Sequence, residues 1–130
     1  MGTKSFTELT VWQKAHQFVL DVYDYSGSFP QNEIYGLTSQ FRRAAVSIAA
    51  NIAEGYKRTG KKDKLRFYNI SHASLEECRY FLILSRDLGF GENKEMEARL
   101  EEVSKMLSSY SQTIKRSMSF TNKALFFLFY

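Results

Sequence analysis

Apolar residues recur along this chain at steps of three and four, the spacing of one face of an α-helix. The pattern predicts four helices, over about residues 10–26, 32–57, 61–88 and 93–118. Alternation of period two is sustained nowhere, so no strand is expected. The loops between the helices are short, which favours antiparallel neighbours. The sequence therefore predicts an all-α fold, an up-down-up-down antiparallel four-helix bundle.

Two local patterns refine this prediction. Thr10 and Gln13 have the spacing of a capping box at the start of the first helix. The fourth helix has the most regular apolar pattern, and we expect it to pack on the core through a heptad seam. The seam consists of Met96, Leu100, Val103, Leu107, Tyr110 and Ile114.

The length of 130 residues favours a single domain. We expect residues 1–118 to form the bundle and residues 119–130 to form an apolar C-terminal tail. The apolar run at 124–130 is far shorter than the roughly 20 residues of a membrane span. Packing on a neighbouring subunit is therefore preferred to membrane anchoring. A lone Cys78 and an N-terminus without a signal-peptide pattern favour a reducing, cytoplasmic setting.

Positive charge is concentrated in residues 42–66. This stretch has eight Lys or Arg against two acids, a net of +6 that exceeds the +4 of the whole chain, so the remainder is net −2. Several of these cations surround the predicted start of the third helix, where they oppose the helix dipole. In an antiparallel bundle they share one end with the chain N-terminus and the end of the fourth helix. This basic end attracts anions, or it serves only to keep the protein soluble.

A stripe of small apolar residues lies on the second helix away from its core-facing Phe41. At 100° per residue, Val46, Ala50 and Ala53 lie opposite Phe41, and Ala49 lies on the flank. Such a stripe permits close approach by another helix, so we expect these four residues to form an oligomer interface. The alternative is that the alanines are present for helix propensity alone.

No set of residues typical of catalysis or metal binding stands out. The segment Gly55–Lys62 approaches a phosphate-binding loop, but Lys62 replaces the hydroxyl and a helix precedes the loop where a strand is required. His16 and His72 lack metal-ligand spacing. Cys78 lacks partners for a nucleophilic site. We therefore expect neither an enzyme nor a cofactor, metal or small-molecule substrate.

Between Phe6 and Phe90 the sequence resembles a family of four-helix bundle proteins encoded in intervening sequences of bacterial 23S ribosomal RNA genes, often labelled ribosomal-protein-like. The most specific match is the stretch RRAAVSIAANIAEG at 42–55. The segments VWQKA at 11–15 and EIYGL at 33–37 also match. The resemblance implies a homopentameric ring. It also implies a similar fold to the accessory variability protein of diversity-generating retroelements, a basic pentamer that binds nucleic acid and a reverse transcriptase.

These observations lead to the hypothesis of a non-enzymatic, oligomeric protein that binds RNA or DNA with weak sequence preference. We expect the Lys and Arg side chains to neutralise phosphates. We expect Tyr56, Phe67 and Tyr68 to stack on unpaired bases. The alternative is a scaffold that docks an acidic or ribonucleoprotein partner. For Arg42 and Arg43, a salt bridge at a subunit interface is an equally favoured role. The candidate nucleic-acid-binding residues are Arg42, Arg43, Lys57, Arg58, Lys61, Lys62, Lys64 and Arg66.

Overall fold

The computed structural model describes the backbone of residues 2–129 and the side chains of residues 2–118. The four α-helices are α1 (Thr10–Ser26), α2 (Leu37–Lys57), α3 (Lys61–Asp87) and α4 (Lys94–Phe129). No strand occurs within the described backbone. Each helix packs on its neighbours in the chain, and α1 also packs on α4, which closes the four-helix bundle. The predicted all-α bundle is confirmed.

The start of α1 differs from the predicted capping box. A 3-10 turn at Phe6–Glu8 leads into the helix, and Leu9 is the N-cap residue, with no side-chain bond to the helix. Gln13 Nε2 donates instead to the carbonyl oxygen of Thr7 at 2.9 Å. The capping-box prediction was wrong because the preceding turn already occupies the glutamine.

The start of α2 lies five residues later than predicted. A 3-10 turn at Gln31–Glu33 precedes it, and Gly36 then leaves the helical conformation, with φ −103° and ψ −112°. Glu33 Oε2 accepts a hydrogen bond from the amide nitrogen of Leu37 at 3.0 Å. This carboxylate caps the first turn, where negative charge is favourable.

The turn between α3 and α4 is built around Gly89. Its φ of +80° is in the left-handed region, which glycine adopts at little cost. The amide of Gly89 donates to the carbonyl of Arg86, and that of Phe90 donates to the carbonyl of Ser85, both at 2.9 Å. This pair of bonds is a Schellman motif, and it ends α3 within one residue of the predicted position.

Helix α4 extends beyond its predicted end at Met118. It has 36 residues against 27 in α3. The predicted packing of the apolar tail lies outside the described residues, since the side chains of residues 119–130 are not described. Within the described backbone, no helix is both long and apolar enough to cross a membrane.

The core lies along the central axis and contains the predicted α4 seam, with the exception of Tyr110. Leu100, Val103 and Leu107 are fully buried, but Tyr110 is 38% exposed. Ser111 takes the inward position instead and is 5% exposed. At 100° per residue, Tyr110 and Ser111 lie about 50° to either side of the seam. The bundle therefore buries the smaller side chain at this level.

Candidate nucleic-acid interface

The α2–α3 junction lies at the same end of the bundle as the N-terminal segment and the later part of α4. Tyr56 Oη donates to the carbonyl oxygen of Thr3 at 2.9 Å. Lys61 Nζ donates to Ser117 Oγ. We call the end of the molecule around Lys57–Arg66 the basic pole. The predicted cations of the basic pole divide into three groups with different surroundings.

Lys64 is engaged in capping α2. Its Nζ donates to the carbonyl oxygens of Gly55 at 3.1 Å and Tyr56 at 2.8 Å. These are terminal carbonyls that the helix leaves without amide partners. Burial lowers the pKa of the Lys64 ammonium. Lys64 therefore has a structural role. Two bonds of its ammonium group, which has three N–H donors, go to the end of α2.

Arg58 and Arg66 are held by carboxylates. Arg58 Nη2 lies 3.3 Å from Glu54 Oε2, and its Nε lies 3.7 Å from Asp63 Oδ2. Arg66 Nε lies 4.0 Å from the other oxygen of Asp63. Both guanidinium groups also lie over the ring of Phe67, at 4.5 and 5.0 Å from its centroid. Arg58 thus has two acidic partners within the protomer, and Arg66 has one at the outer limit of ion-pair distance.

Lys57, Lys61 and Lys62 are exposed, and none of them has an acidic partner within the described part of the chain. Within residues 2–118, Lys57 and Lys62 make no hydrogen bond or ion pair, and Lys61 contacts only the hydroxyl of Ser117. Lys4 lines the same surface groove as Lys57. The up-down topology, which returns the N-terminus to this end, predicts that Lys4 lies here, although it is not one of the eight candidate residues.

Arg42 and Arg43 lie apart from the basic pole. Arg42 Nε donates to Ser26 Oγ at 2.8 Å, and its Nη2 donates to the carbonyl of Tyr23 at 3.3 Å. Its guanidinium also lies 4.6 Å from the centroid of the Tyr23 ring. Both arginines precede Lys57 by four turns, or about 22 Å along the helix axis. The structure therefore does not bring them together with the other candidate residues.

The aromatic residues of the basic pole are not available as a stacking platform. Phe67 and Tyr68 are 9% and 6% exposed. The third ring, Tyr56, is half-buried, and its hydroxyl is bonded to Thr3. The expected stacking on bases is wrong for this arrangement, because these rings serve the packing of α2, α3 and the N-terminal segment.

The outer stripe of α2 contains three of the four predicted interface residues. Val46 is 42% exposed, Ala50 is exposed and Ala53 is half-buried. Ala49 is only 7% exposed and belongs to the core of its own bundle. The prediction that Ala49 belongs to the oligomer interface was wrong, because this flank position on α2 faces the neighbouring helices of the same bundle.

The residues considered for chemistry have structural surroundings. Cys78 is fully buried, which raises the pKa of its thiol. His16 stacks on Trp12, with ring centroids 4.9 Å apart. His72 Nε2 lies 3.4 Å from both Ser104 O and Ser108 Oγ. Over the described part of the chain, no three His, Cys, Asp or Glu residues are close enough to hold a metal ion.

Comparison with known proteins identifies the family. The profile of the 23S rRNA-intervening sequence protein family matches residues 7–109. The chain belongs to that family. The region that matches the 23S rRNA-intervening sequence protein family contains all eight candidate cations. No curated protein matches the chain in sequence.

A solved structure supports the fold of this member of the 23S rRNA-intervening sequence protein family. It is a protein of unknown function from the S23 ribosomal protein family of Bacteroides thetaiotaomicron VPI-5482. The two chains superpose with a TM-score of 0.70 at 22% identity, over 78% of this chain and 95% of the other. The relation to the accessory variability protein of retroelements stays a prediction.

Proposed function

We propose that this protein is a non-enzymatic, self-associating RNA-binding protein with weak sequence preference. The observation that carries the proposal is the pair Lys57 and Lys62, which are exposed and without an acidic partner in the described protomer. Ammonium groups left in this state are suited to neutralising phosphates. They lie on either side of the short connection between α2 and α3, with Lys61 between them in sequence.

The dipole of α3 strengthens this argument. The helix has 27 residues, and its N-cap residue, Gly60, makes no side-chain bond to the first turn. The positive end of the dipole and the amide groups of the first turn favour an anion there. Lys61 and Lys62 add charge of the same sign, which the one acid of the first turn, Asp63, offsets only in part. Phosphate binding would therefore relieve an unfavourable interaction.

Weak sequence preference follows from the covered aromatic rings. Base readout needs stacking faces or side chains that reach base edges. Phe67 and Tyr68 are buried, and Tyr56 holds the N-terminal segment. The basic pole can therefore bind the nucleic-acid backbone by charge, but it has few groups that could distinguish one base from another. We take RNA as the first ligand to test and DNA as the second, because both present the phosphates that exposed ammonium groups neutralise.

Self-association is supported by the outer stripe of α2. Val46 is 42% exposed, and it lines a groove with Ala50, Ile34 and Tyr23, the last two being 45% exposed. Covering this apolar surface with a second copy would remove it from water. The resemblance described above implies five copies in a ring, which would multiply the basic poles.

The test is binding of the purified protein to a 20-base-pair RNA duplex and to DNA of the same sequence across a salt series. The variant Lys57→Glu/Lys62→Glu is compared with Lys94→Glu/Lys105→Glu, a pair of exposed cations on α4 away from the α2–α3 junction, with the same change in net charge. We expect the first to weaken binding about tenfold or more and to reduce the salt slope by about two. We expect the control pair to behave nearly as the wild type.

Equal losses in the two variants would contradict the proposed site. Absence of binding to either nucleic acid at low salt would contradict the function itself. Co-purification of an acidic protein, lost in Lys57→Glu/Lys62→Glu, would then favour the alternative of a protein-docking scaffold.

A further inference from the structure

The arginines and lysines of the basic pole are in opposite states. Arg58 lies near the carboxylates of both Glu54 and Asp63, and Asp63 also lies near Arg66. These two arginines and two acids sum to zero formal charge. The lysines beside them have no acidic partner within residues 2–118. The net charge of the pole therefore comes from its lysines.

This distribution is the reverse of what phosphate binding favours. A guanidinium donates two parallel hydrogen bonds to a phosphate, whereas an ammonium acts as a point charge. In this protein the better phosphate ligands are the ones already occupied. The occupying group is a carboxylate, which presents oxygens to a guanidinium as a phosphate does.

Asp63 is the shared element. Its two oxygens lie 3.7 Å from Arg58 Nε and 4.0 Å from Arg66 Nε, so one side chain holds both arginines. The side chains of Asp63, Arg58 and Arg66 are 44%, 43% and 68% exposed. Ion pairs with this exposure are weak, and an outside anion can replace the carboxylate without opening the core.

We infer that Asp63 is a specificity-determining residue that acts as an internal competitor for phosphate at the basic pole. It holds Arg58 and Arg66 until a ligand with several closely spaced phosphates, anchored by the lysines, displaces it. The inference rests on the proposed RNA binding and adds an internal competitor to it.

The test compares Asp63→Asn with Asp87→Asn in full-length protein, using the 20-base-pair RNA duplex across a salt series. Asp87 is a matched control, because it is on the same helix, lies 3.7 Å from Arg86 and is about 36 Å from Asp63 along the axis. We expect Asp63→Asn to bind about threefold to tenfold more tightly than wild type, with a salt slope steeper by about one. We expect Asp87→Asn to match wild type.

A second variant keeps the test decisive if Asp63→Asn folds poorly in a thermal melt. Glu54→Gln removes the other carboxylate near Arg58 and leaves Arg66 held, so we expect a smaller gain in affinity. Equal affinities for Asp63→Asn and Asp87→Asn, or no gain in Glu54→Gln when it alone is folded, would overturn the inference. The proposed function would still stand if wild-type binding depends on Lys57 and Lys62. Loss of all binding, in wild type and variants alike, would overturn both.

Discussion

Gly55 shows how one residue determines the fit between two helices. It is buried near the end of α2, directly against α3. A Cβ at this position would lie 2.6 Å from Tyr68 Cε1 and 3.2 Å from Phe67 Cβ. Glycine is unfavourable inside a helix, so its presence here is explained by the close approach of the Tyr68 ring. The same approach buries the rings that might otherwise have stacked on bases.

We expect Gly55→Ala to lower the free energy of unfolding by about 1–2 kcal/mol. An approach of 2.6 Å places the cost of overpacking in the upper part of its usual range, at about 2–3 kcal/mol, and the better helix propensity of alanine offsets about 1 kcal/mol of it. Chemical denaturation of the single variant measures this effect. In a Tyr68→Ala background only the 3.2 Å approach of Phe67 Cβ remains, so the same change should cost less than about 0.5 kcal/mol. An unchanged destabilisation in that background would contradict the steric explanation.

At the scale of the helices, a basic side chain from the next element caps each of the first two C-termini. Arg42 of α2 binds Ser26 and the carbonyl of Tyr23 at the end of α1. Lys64 of α3 binds the carbonyls of Gly55 and Tyr56 at the end of α2. Cations at a helix C-terminus interact favourably with the dipole and the unpaired carbonyls. Two of the candidate phosphate ligands are therefore explained by helix ends.

We expect Arg42→Met to lower the free energy of unfolding by about 1–2 kcal/mol, because α1 loses two hydrogen bonds and a cation near its C-terminus. Arg43→Met is the control, since Arg43 is exposed and makes no hydrogen bond or ion pair with the rest of residues 2–118. Denaturant titration of both variants checks the difference. Similar stability of the two variants would argue against the capping role of Arg42.

At the scale of the whole molecule, charge is divided along the long axis of the bundle. The lysines of the α2–α3 junction lie at one end, and the α1–α2 and α3–α4 turns, with Asp24, Asp87 and Glu92, lie at the other. A protein polarised in this way attracts anions to one pole. Self-association through the side of α2 would leave the end around the junction open to a ligand.

We expect Val46→Asp to reduce the solution mass toward that of one chain, because a carboxylate on the outer stripe of α2 would have to be desolvated in the interface. Gln112→Asp makes the same change in charge at an exposed position on α4 and should leave the mass unchanged. Light scattering after size-exclusion chromatography provides the measurement. A wild type that is already monomeric, or two variants of equal mass, would contradict self-association through α2.

Helix periodicity by itself determined the number of helices, the bounds of α3 and most core positions. These properties depend on residues three and four apart, so a local pattern contains them. The basic end also follows from sequence, because antiparallel helices with short loops return the α2–α3 junction and the chain N-terminus to the same side. The later start of α2 was not predicted, since the conformation of Gly36 and the cap from Glu33 depend on the turn as folded.

Only the tertiary structure decided which cations stay exposed and without an acidic partner. The sequence presents eight similar basic residues, whereas the fold uses Arg42 and Lys64 as caps, places Arg58 and Arg66 beside acids and leaves Lys57 and Lys62 unpaired within residues 2–118. It also buried Ala49 and chose Ser111 over Tyr110 for the core. The physical reason is that a side chain's partners come from neighbouring helices, and no periodicity along one helix specifies them.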